Sequence, residues 1–329
     1  MENKFIEPWL GLYLPDDINL APQRACRYVQ SFGKRIQILS FYVAWRSGRK
    51  KPDIPGIERV LRNGFIPMIT WEPWRWPHEL PEGVRREDQP EFSLAMILNG
   101  KYDDYIWNWA LDLEQISGPL FFRPMHEMNG NWYPWCGKVN GNKPEEYIET
   151  WCYIRSIFSK TRNDQLVWVW SPYVHSVPNE SGNEILRYYP GSEEVDWLAL
   201  DGYNWGNTQT WSKWQEFKEI FEEAYEELAS LAPEKPMMIA EVGCAEEGGD
   251  KAKWIEGTFS ILGDKFPKIK VLVWFNTNKE CDWRIESSPQ SLNAFRKSIR
   301  DWTFMDSSKK LRALHPPTQE TTGLPVGLH

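Results

Sequence analysis

The segment 119–137 brings together groups suited to acid–base chemistry. It begins as a short apolar run typical of a buried strand, and Arg123, His126 and Glu127 appear where that strand would end. The pair Asn129–Gly130 then predicts a turn. Aromatic residues follow the turn: Trp132, Tyr133 and Trp135. A buried carboxylate beside an imidazole and an aromatic loop indicates a site for sugar rings. The alternative is a core strand followed by a structural turn in which Glu127 forms an ion pair.

A second carboxylate, Glu241, ends another apolar run and has little opposite charge near it in sequence. Two carboxyl groups about 5–5.5 Å apart are what retaining glycoside hydrolysis needs, one to give a proton and one to attack the anomeric carbon. We expect Tyr203 to donate its hydroxyl to Glu241, and Arg123 to favour the ionised form of that carboxyl. Glu127, in the more aromatic surroundings, suits the proton donor. The alternatives are an ion pair for Glu241 and simple core filling for Tyr203.

Eight short apolar runs must position these groups. They are continuous rather than alternating, which predicts strands of a parallel sheet that are buried on both faces. The runs are Trp9–Leu14, Ile36–Val43, Phe65–Trp71, Leu120–Pro124, Leu166–Trp170, Trp197–Tyr203, Met237–Glu241 and Val271–Phe275.

Amphipathic segments lie between the runs and predict helices. They include Glu145–Thr161, Trp214–Leu231 and a last helix with Ser288 as N-cap and Pro289 in first position. Strand–helix repeats of this number predict a single α/β domain, a (β/α)8 TIM barrel over residues 1–302, with a polar tail over 303–329. A doubly wound open sheet is the second choice, because it usually carries a glycine-rich phosphate turn after its first strand and none is visible.

In such a barrel the carboxyl ends of all strands face one opening, and catalytic groups come from several of them. Glu127 follows the fourth predicted strand and Glu241 ends the seventh, so the two carboxyl groups should face each other across the opening. Trp71 and Asn204 end the third and sixth strands, and we include both as candidate substrate-binding residues.

Composition narrows the possible partners. The net charge of −8 and the pI near 5.4 argue against nucleic acid and anionic membrane as partners. The chain has 20 Trp, several of them in predicted loops, which favours contact with a carbohydrate. The five cysteines form no CxxC pair, and neither a disulfide framework nor a zinc site is predicted. The histidines are scattered without an HExxH motif, so a metal hydrolase is disfavoured and we expect no metal or cofactor.

The N-terminal residues contain no long apolar region, and no stretch approaches the length of a membrane span. The sequence as it stands predicts a cytoplasmic protein, although a secreted protein whose signal peptide had been removed would read the same. We expect a monomer.

One stretch of the chain resembles the acid/base motif of glycoside hydrolase family 26: Arg123-Pro124-x-His126-Glu127-x-Asn129-Gly130-x-Trp132. Members of that family are mostly β-mannanases, with some mixed-linkage β-glucanases and β-xylanases, and they are (β/α)8 retaining glycosidases. His in place of the more usual Asn before the acid/base is the mark of the family. The resemblance extends to Gly100-x-Tyr102-Asp103-x-Tyr105-Ile106, Trp109-Ala110, Asp201-Gly202-Tyr203-Asn204 and Ile239-Ala240-Glu241.

The resemblance implies roles for individual residues. Glu127 is implied as acid/base, Glu241 as nucleophile and Tyr203 as the hydrogen-bond partner of the nucleophile. Further implied contacts with the substrate are His126, the aromatic platforms Trp132 and Trp274, and Asp282 and Trp283 in the segment after strand eight. We add Arg123 and Trp135 from the motif and the loop that follows it.

The substrate class that follows is a β-linked polysaccharide or oligosaccharide, and the first hypothesis is an endo-acting enzyme on β-1,4-mannan. This chain has Tyr133-Pro134-Trp135 where the mannanases tend to have further Trp or Phe, which is closer to the glucanase branch. A mixed-linkage β-1,3-1,4-glucanase or a bacterial exopolysaccharide hydrolase is therefore the alternative. A non-catalytic carbohydrate-binding barrel is a further alternative, but such a protein would be expected to lose one of the two Glu.

Overall fold

The computed structural model describes residues 5–6, 8–45, 51–302 and 304–305. Eight parallel strands form a closed barrel in which each strand pairs with the next along the chain, and the first pairs with the last. The strands are β1 (Trp9–Tyr13), β2 (Ile38–Ala44), β3 (Ile66–Glu72), β4 (Leu120–Pro124), β5 (Leu166–Trp170), β6 (Trp197–Asn204), β7 (Met237–Cys244) and β8 (Ile269–Phe275). The predicted (β/α)8 barrel is confirmed, with strand bounds that differ from the predicted ones by three residues or fewer.

Helices cover the outside of the barrel. They are α1 (Ala21–Phe32), α2 (Ile54–Arg62), α3 (Leu94–Leu98), α4 (Asp103–Leu113), α5 (Pro144–Phe158), α6 (Phe217–Leu231), α7 (Lys251–Lys265) and α8 (Pro289–Asp301). Ser288 caps α8 as predicted, because its hydroxyl accepts the Ser291 N–H at 3.1 Å. Helix α6 begins three residues later than predicted, since Glu216 is its N-cap and the Glu216 N–H donates to the Glu219 carboxylate at 2.7 Å.

The eight repeats are not regular. The connection from β3 to β4 carries two helices, α3 and α4. All residues between β5 and β6 are described, and they form two short 3-10 turns, Ile185–Tyr188 and Ser192–Glu194, without an α-helix. Pro172, Pro178 and Pro190 interrupt this segment and remove backbone donors that a helix would need. The expectation of a helix in every repeat was therefore wrong here.

Side chains alternate between the inside and the outside of the barrel along each strand. The inner core near the amino ends is a compact apolar cluster that includes Trp9, Met68, Phe121 and Val273. The outer layer, between strands and helices, holds most of the remaining buried aromatic residues. This alternation decides which residues at the carboxyl ends can reach the opening.

A short antiparallel pair, Phe5–Ile6 with Phe304–Met305, joins the two ends of the described chain. The predicted polar tail over 303–329 lies almost entirely outside the described residues. None of the described helices has the length and apolar character that crossing a bilayer requires.

Candidate active site

A cavity of about 840 Å³ opens at the carboxyl ends of the strands. Four carboxyl side chains line it, Glu72, Glu127, Glu241 and Glu280. Most of its wall is aromatic: Tyr13, Tyr42, Trp74, Trp76, Trp132, Tyr133, Tyr173, Tyr203, Trp205, Trp211, Phe275 and Trp283. Flat aromatic faces around a few carboxyl groups suit the apolar faces and the hydroxyl groups of sugar rings.

Glu127 enters the cavity from an unusual backbone turn directly after β4. Both Met125 and Glu127 have positive φ, 48° and 52°, although neither is glycine. The Glu127 N–H donates to the Ser171 carbonyl at 2.7 Å, and its own carbonyl accepts from Gly130 N–H at 3.0 Å. Left-handed conformations of such residues persist only where surrounding contacts hold them, and they cluster at functional sites.

Trp132 holds the side chain of Glu127. Its indole N–H donates to the Glu127 carboxylate at 2.6 Å. Gly130 makes room for this indole, because a Cβ at that position would lie 2.6 Å from the Trp132 ring. The loop Asn129–Trp132 is thus shaped around the contact between Trp132 and Glu127.

Burial, together with the negative charge of Glu241, raises the pKa of Glu127 to about 8, although the Trp132 hydrogen bond acts in the opposite direction. A carboxyl group with such a pKa is protonated at neutral pH. It can give a proton to a leaving oxygen and later take one from water.

Glu241 faces the cavity because β7 contains an irregularity. Leu200 pairs with Ile239 and Asp201 pairs with Glu241, so Ala240 is an extra residue in β7. Such a bulge changes which face the following side chain points to, and bulges are frequent next to active sites. Ala240 belongs to the inner core, and Glu241, the next residue, also points to the barrel interior.

Two donors hold the Glu241 carboxylate. The Tyr203 hydroxyl donates to Oε2 at 2.5 Å, which is the contact expected from the sequence. The Arg123 guanidinium donates to Oε1, and it also donates to both carboxylate oxygens of Asp201 at 2.9 Å. Thr70 Oγ1 accepts from Arg123 at 2.9 Å. Arg123 is fully buried, so its charge is balanced by these two carboxylates rather than by water.

His126 lies beside Glu241 as a neutral imidazole. Burial lowers the pKa of His126 well below its usual range, and the charge of Arg123 lowers it further. Its Nε2 is 3.8 Å from Glu241 Oε1, so the two groups are neighbours without forming an ion pair. The rings of Tyr133 and Tyr42 flank the imidazole, with centroids 4.8 and 6.0 Å away.

Five of the residues selected from the sequence line this cavity: Glu127, Trp132, Tyr203, Glu241 and Trp283. Other residues selected from the sequence are buried and contact the groups that line the cavity. Trp135 is fully buried and donates its indole N–H to the His126 carbonyl at 2.7 Å, while its ring stacks on Tyr133 at 4.4 Å. Arg123 and His126 are also buried below the surface of the cavity.

Two tryptophans were placed on the wrong face. Trp71 and Trp274 are fully buried in the outer layer, between the barrel and the helices. Trp71 packs on Trp109 and Trp274 packs on Phe295, at 5.2 and 5.4 Å between ring centroids. The predicted platform role of Trp274 therefore fails, because alternation along β8 points Phe275 into the cavity instead.

Asn204 and Asp282 were also selected as substrate contacts, and both make structural contacts instead. The Asn204 side chain accepts from the N–H of Gly206 and of Gln215 at 3.1 and 3.2 Å. Asp282 forms an ion pair with Arg284 at 2.6 Å. Neither residue lines the cavity.

Glu72 was not selected, although it lines the cavity. Burial raises its pKa to about 8, with the Trp74 hydrogen bond opposing at 3.2 Å. The available signal was that Glu72 ends an apolar run, as Glu241 does. The aromatic residues Trp205, Trp211 and Phe275 were likewise passed over as site residues.

No group of three or more His, Cys, Asp or Glu suited to a metal ion is found among the described residues.

Comparison with known proteins finds similarity to glycosyl hydrolases. The model of glycosyl hydrolase family 26 matches residues 86–255, which is more than half of the chain. Endoglucanase H of Acetivibrio thermocellus is 37% identical over 299 residues, which are 86% of this chain and 31% of that protein. A mannan endo-1,4-beta-mannosidase of Bacillus subtilis is 30% identical over 173 residues, which are 50% of this chain and 41% of that protein.

The chain therefore spans between about a third and two fifths of the length of these two relatives. Among solved structures, the catalytic domain of the Bacillus sp. JAMB-750 GH26 endo-beta-1,4-mannanase has a TM-score of 0.66 at 17% identity, over 90% of this chain and 86% of that one. At that identity the likeness concerns the fold.

Proposed function

Because the chain belongs to glycosyl hydrolase family 26, we propose that it is a retaining endo-β-glycanase that cuts a β-linked polysaccharide by double displacement. The observation that carries the proposal is the arrangement of two carboxylates in one aromatic cavity. Glu127 has a raised pKa and a single indole donor, whereas Glu241 is held by a guanidinium and a phenol. Different surroundings give the two carboxyl groups different roles.

In the first step, Glu127 is the acid and Glu241 the nucleophile. The Glu127 proton passes to the glycosidic oxygen while a Glu241 oxygen attacks the anomeric carbon. The bond between that carbon and the leaving oxygen breaks, and a glycosyl ester of Glu241 forms. Arg123 and Tyr203 hold the Glu241 carboxylate in one orientation before the attack, which reduces the reorganisation that the reaction needs.

In the second step, the Glu127 carboxylate removes a proton from water. The water oxygen attacks the anomeric carbon, the ester bond breaks, and Glu241 returns as a carboxylate. The Trp132 indole stabilises the ionised Glu127 between the two steps. Two inversions at one carbon leave the product with the configuration of the substrate.

We infer a glucose-containing β-glucan, with β-1,4 or mixed β-1,3-1,4 linkages, as the first substrate and β-1,4-mannan as the second. This reverses the order expected from the sequence. The support is the extent of similarity, since the endoglucanase aligns over 86% of the chain and the mannosidase over 50%.

The test is product release from a panel of polymers: barley mixed-linkage glucan, carboxymethyl cellulose, glucomannan, galactomannan, xylan and a bacterial exopolysaccharide. We expect oligosaccharides from barley glucan first. ¹H NMR of the first-formed product should show the β anomer before mutarotation. Glu127→Ala should lose nearly all activity on polymer, and azide should restore turnover of an activated aryl glycoside by replacing water in the second step.

Glu226→Gln, on the exposed face of α6, is the matched control for Glu241→Gln. The control should keep full activity and Glu241→Gln should lose it. Release of the α anomer first, or full turnover by Glu241→Gln, would refute the mechanism. Products from the exopolysaccharide alone would identify bacterial exopolysaccharide, in place of β-glucan, as the substrate class. Binding without products would favour a non-catalytic carbohydrate-binding barrel.

A further inference from the structure

Trp211 is the most exposed large apolar side chain among the described residues, at 70%. It lies in the connection between β6 and α6, and it forms part of the cavity wall. A side chain with this exposure contributes little to the hydrophobic core. Because Trp211 lies at a cavity that contains two candidate catalytic carboxyl groups, contact with a ligand explains its exposed position better than a role in folding does.

The backbone around Trp211 is held in place. Ser212 Oγ donates to the Gly206 carbonyl at 2.7 Å, and Thr208 Oγ1 donates to the Trp205 carbonyl at 2.7 Å. Asn204 receives N–H groups from both ends of the same loop. The exposed indole therefore projects from an ordered turn, and a ligand would not have to order the loop first.

Aromatic rings connect Trp211 with the centre of the cavity. The Trp211 ring lies 5.3 Å from Trp205, and Trp205 lies 4.8 Å from Trp283 and 6.2 Å from Tyr203. Tyr203 bonds Glu241, so the row runs from the nucleophile to the rim. All of these rings line the same cavity.

The row also approaches the acid. Tyr173 lies 5.2 Å from Trp132, whose indole holds Glu127. Tyr173 lines the same cavity as Trp205 and Trp211. Burial raises the pKa of Tyr173, and the negative charge of Glu127 acts in the same direction. In the proposed mechanism Glu127 gives its proton to the leaving oxygen. The sugars that bind on the Glu127 side of the cavity therefore belong to the leaving part of the polymer.

We propose that Trp211 is a stacking platform for a leaving-group sugar at least one ring beyond the bond that is cut. The inference rests on the proposed function. It makes Trp211 a specificity-determining residue, because only a chain long enough to reach the rim gains the contact. A short substrate occupies the centre of the cavity and does not reach Trp211.

The experiment compares wild type, Trp211→Ala, Trp211→Phe and the control Trp107→Ala. Trp107 is 37% exposed on α4 and is not part of the cavity wall. For each protein, kcat/KM is measured on barley mixed-linkage glucan and on an aryl β-cellobioside with a one-ring leaving group. If the panel favours mannan, galactomannan and the aryl β-mannobioside replace them.

For Trp211→Ala we expect the ratio of the polymer value to the aryl-glycoside value to fall about tenfold, as loss of one aromatic stacking contact implies. Trp211→Phe should recover most of the ratio, and Trp107→Ala should leave it unchanged. An unchanged ratio in Trp211→Ala would overturn the proposal. An equal loss on both substrates would also overturn it, because Trp211 would then act at the sugar that is cut.

Failure of the proposed function can be told apart from failure of this inference. If wild type releases no products from any polymer, the function fails, and gel electrophoresis in the presence of barley glucan still tests Trp211. Retardation of wild type and Trp107→Ala, but not of Trp211→Ala, would support the platform. Equal mobility of wild type and Trp211→Ala would overturn it.

Discussion

Replacing Trp132 by Phe removes one hydrogen-bond donor and keeps an aromatic ring. The indole N–H of Trp132 donates to the Glu127 carboxylate at 2.6 Å and lowers the pKa of Glu127 against burial and the charge of Glu241. Without this donor, the ionised form of Glu127 loses more stabilisation than the protonated form does. The pKa of Glu127, about 8 in the wild type, should therefore rise.

The magnitude follows from the kind of hydrogen bond. A hydrogen bond to a charged group contributes about 1.5–3 kcal/mol and one to a neutral group about 1 kcal/mol, so the ionised form loses about 0.5–2 kcal/mol more. Since about 1.4 kcal/mol corresponds to one pH unit, the shift is about one unit upward.

The assay is the pH dependence of kcat/KM, which reports ionisation of the free enzyme. In the proposed mechanism Glu127 acts first as an acid, so activity should fall as the pH rises through the pKa of Glu127. In wild type this alkaline limb should lie near pH 8, and in Trp132→Phe it should lie about one pH unit higher, with a lower plateau.

Trp76→Phe is the matched control for this experiment. Trp76 also lines the cavity, and its buried indole nitrogen has no hydrogen-bond partner within the described ranges. The alkaline limb should stay in place in this variant. A limb that does not move in Trp132→Phe, or that moves to lower pH, would refute the assignment of the limb to Glu127.

Three further predictions concern neighbouring groups. Tyr203→Phe removes the hydroxyl that donates to Glu241 at 2.5 Å, and it should lower kcat by about 10- to 100-fold in steady-state assays. A variant with the full rate would show that this hydrogen bond does not assist the reaction. Gly130→Ala places a Cβ 2.6 Å from the Trp132 ring and should lower kcat/KM at least about tenfold, while circular dichroism shows an intact fold. The control Gly257→Ala lies in helix α7, where a Cβ meets no other atom within 4 Å, and it should keep its activity. Glu72 has a folded-state pKa of about 8, above its unfolded value, so its contribution to the free energy of unfolding is present below about pH 4.5 and is lost as the pH rises through 8. Denaturant titrations should show that Glu72→Gln gains about 3–5 kcal/mol over wild type between pH 4 and pH 9, and a pH-independent difference would contradict this.

The barrel could be predicted because each strand is a continuous apolar run and needs no knowledge of its neighbours. Leu120–Pro124 and Leu166–Trp170 have the same bounds in sequence and structure. The connection between β5 and β6 was harder, since its prolines exclude a helix without indicating the 3-10 turns that replace it.

The site was predicted in part, for a reason of geometry. A strand end offers two neighbouring residues, and only one of them points into the barrel. Trp71 and Trp274 were chosen where Glu72 and Phe275 face the cavity, because the sequence does not contain the register of the barrel. Glu241 reaches the cavity through the extra residue Ala240, and nothing in an apolar run reports a bulge.

Trp211 shows a different limit. Its exposure depends on how the loop after β6 folds, and that loop is set by contacts of Asn204, Gly206 and Ser212. Composition alone indicates that some tryptophans contact a ligand, without showing which.

The central claim is that Glu241 becomes covalently attached to the sugar. The direct measurement is incubation with an activated 2-deoxy-2-fluoro β-cellobioside or β-mannobioside, followed by mass spectrometry of the intact chain and of its peptides. We predict one added disaccharide, located on the peptide that contains Glu241, and no such adduct in Glu241→Gln. An adduct on another residue would contradict the double-displacement mechanism. The absence of any adduct in an enzyme that still cuts the polymer would contradict it as well.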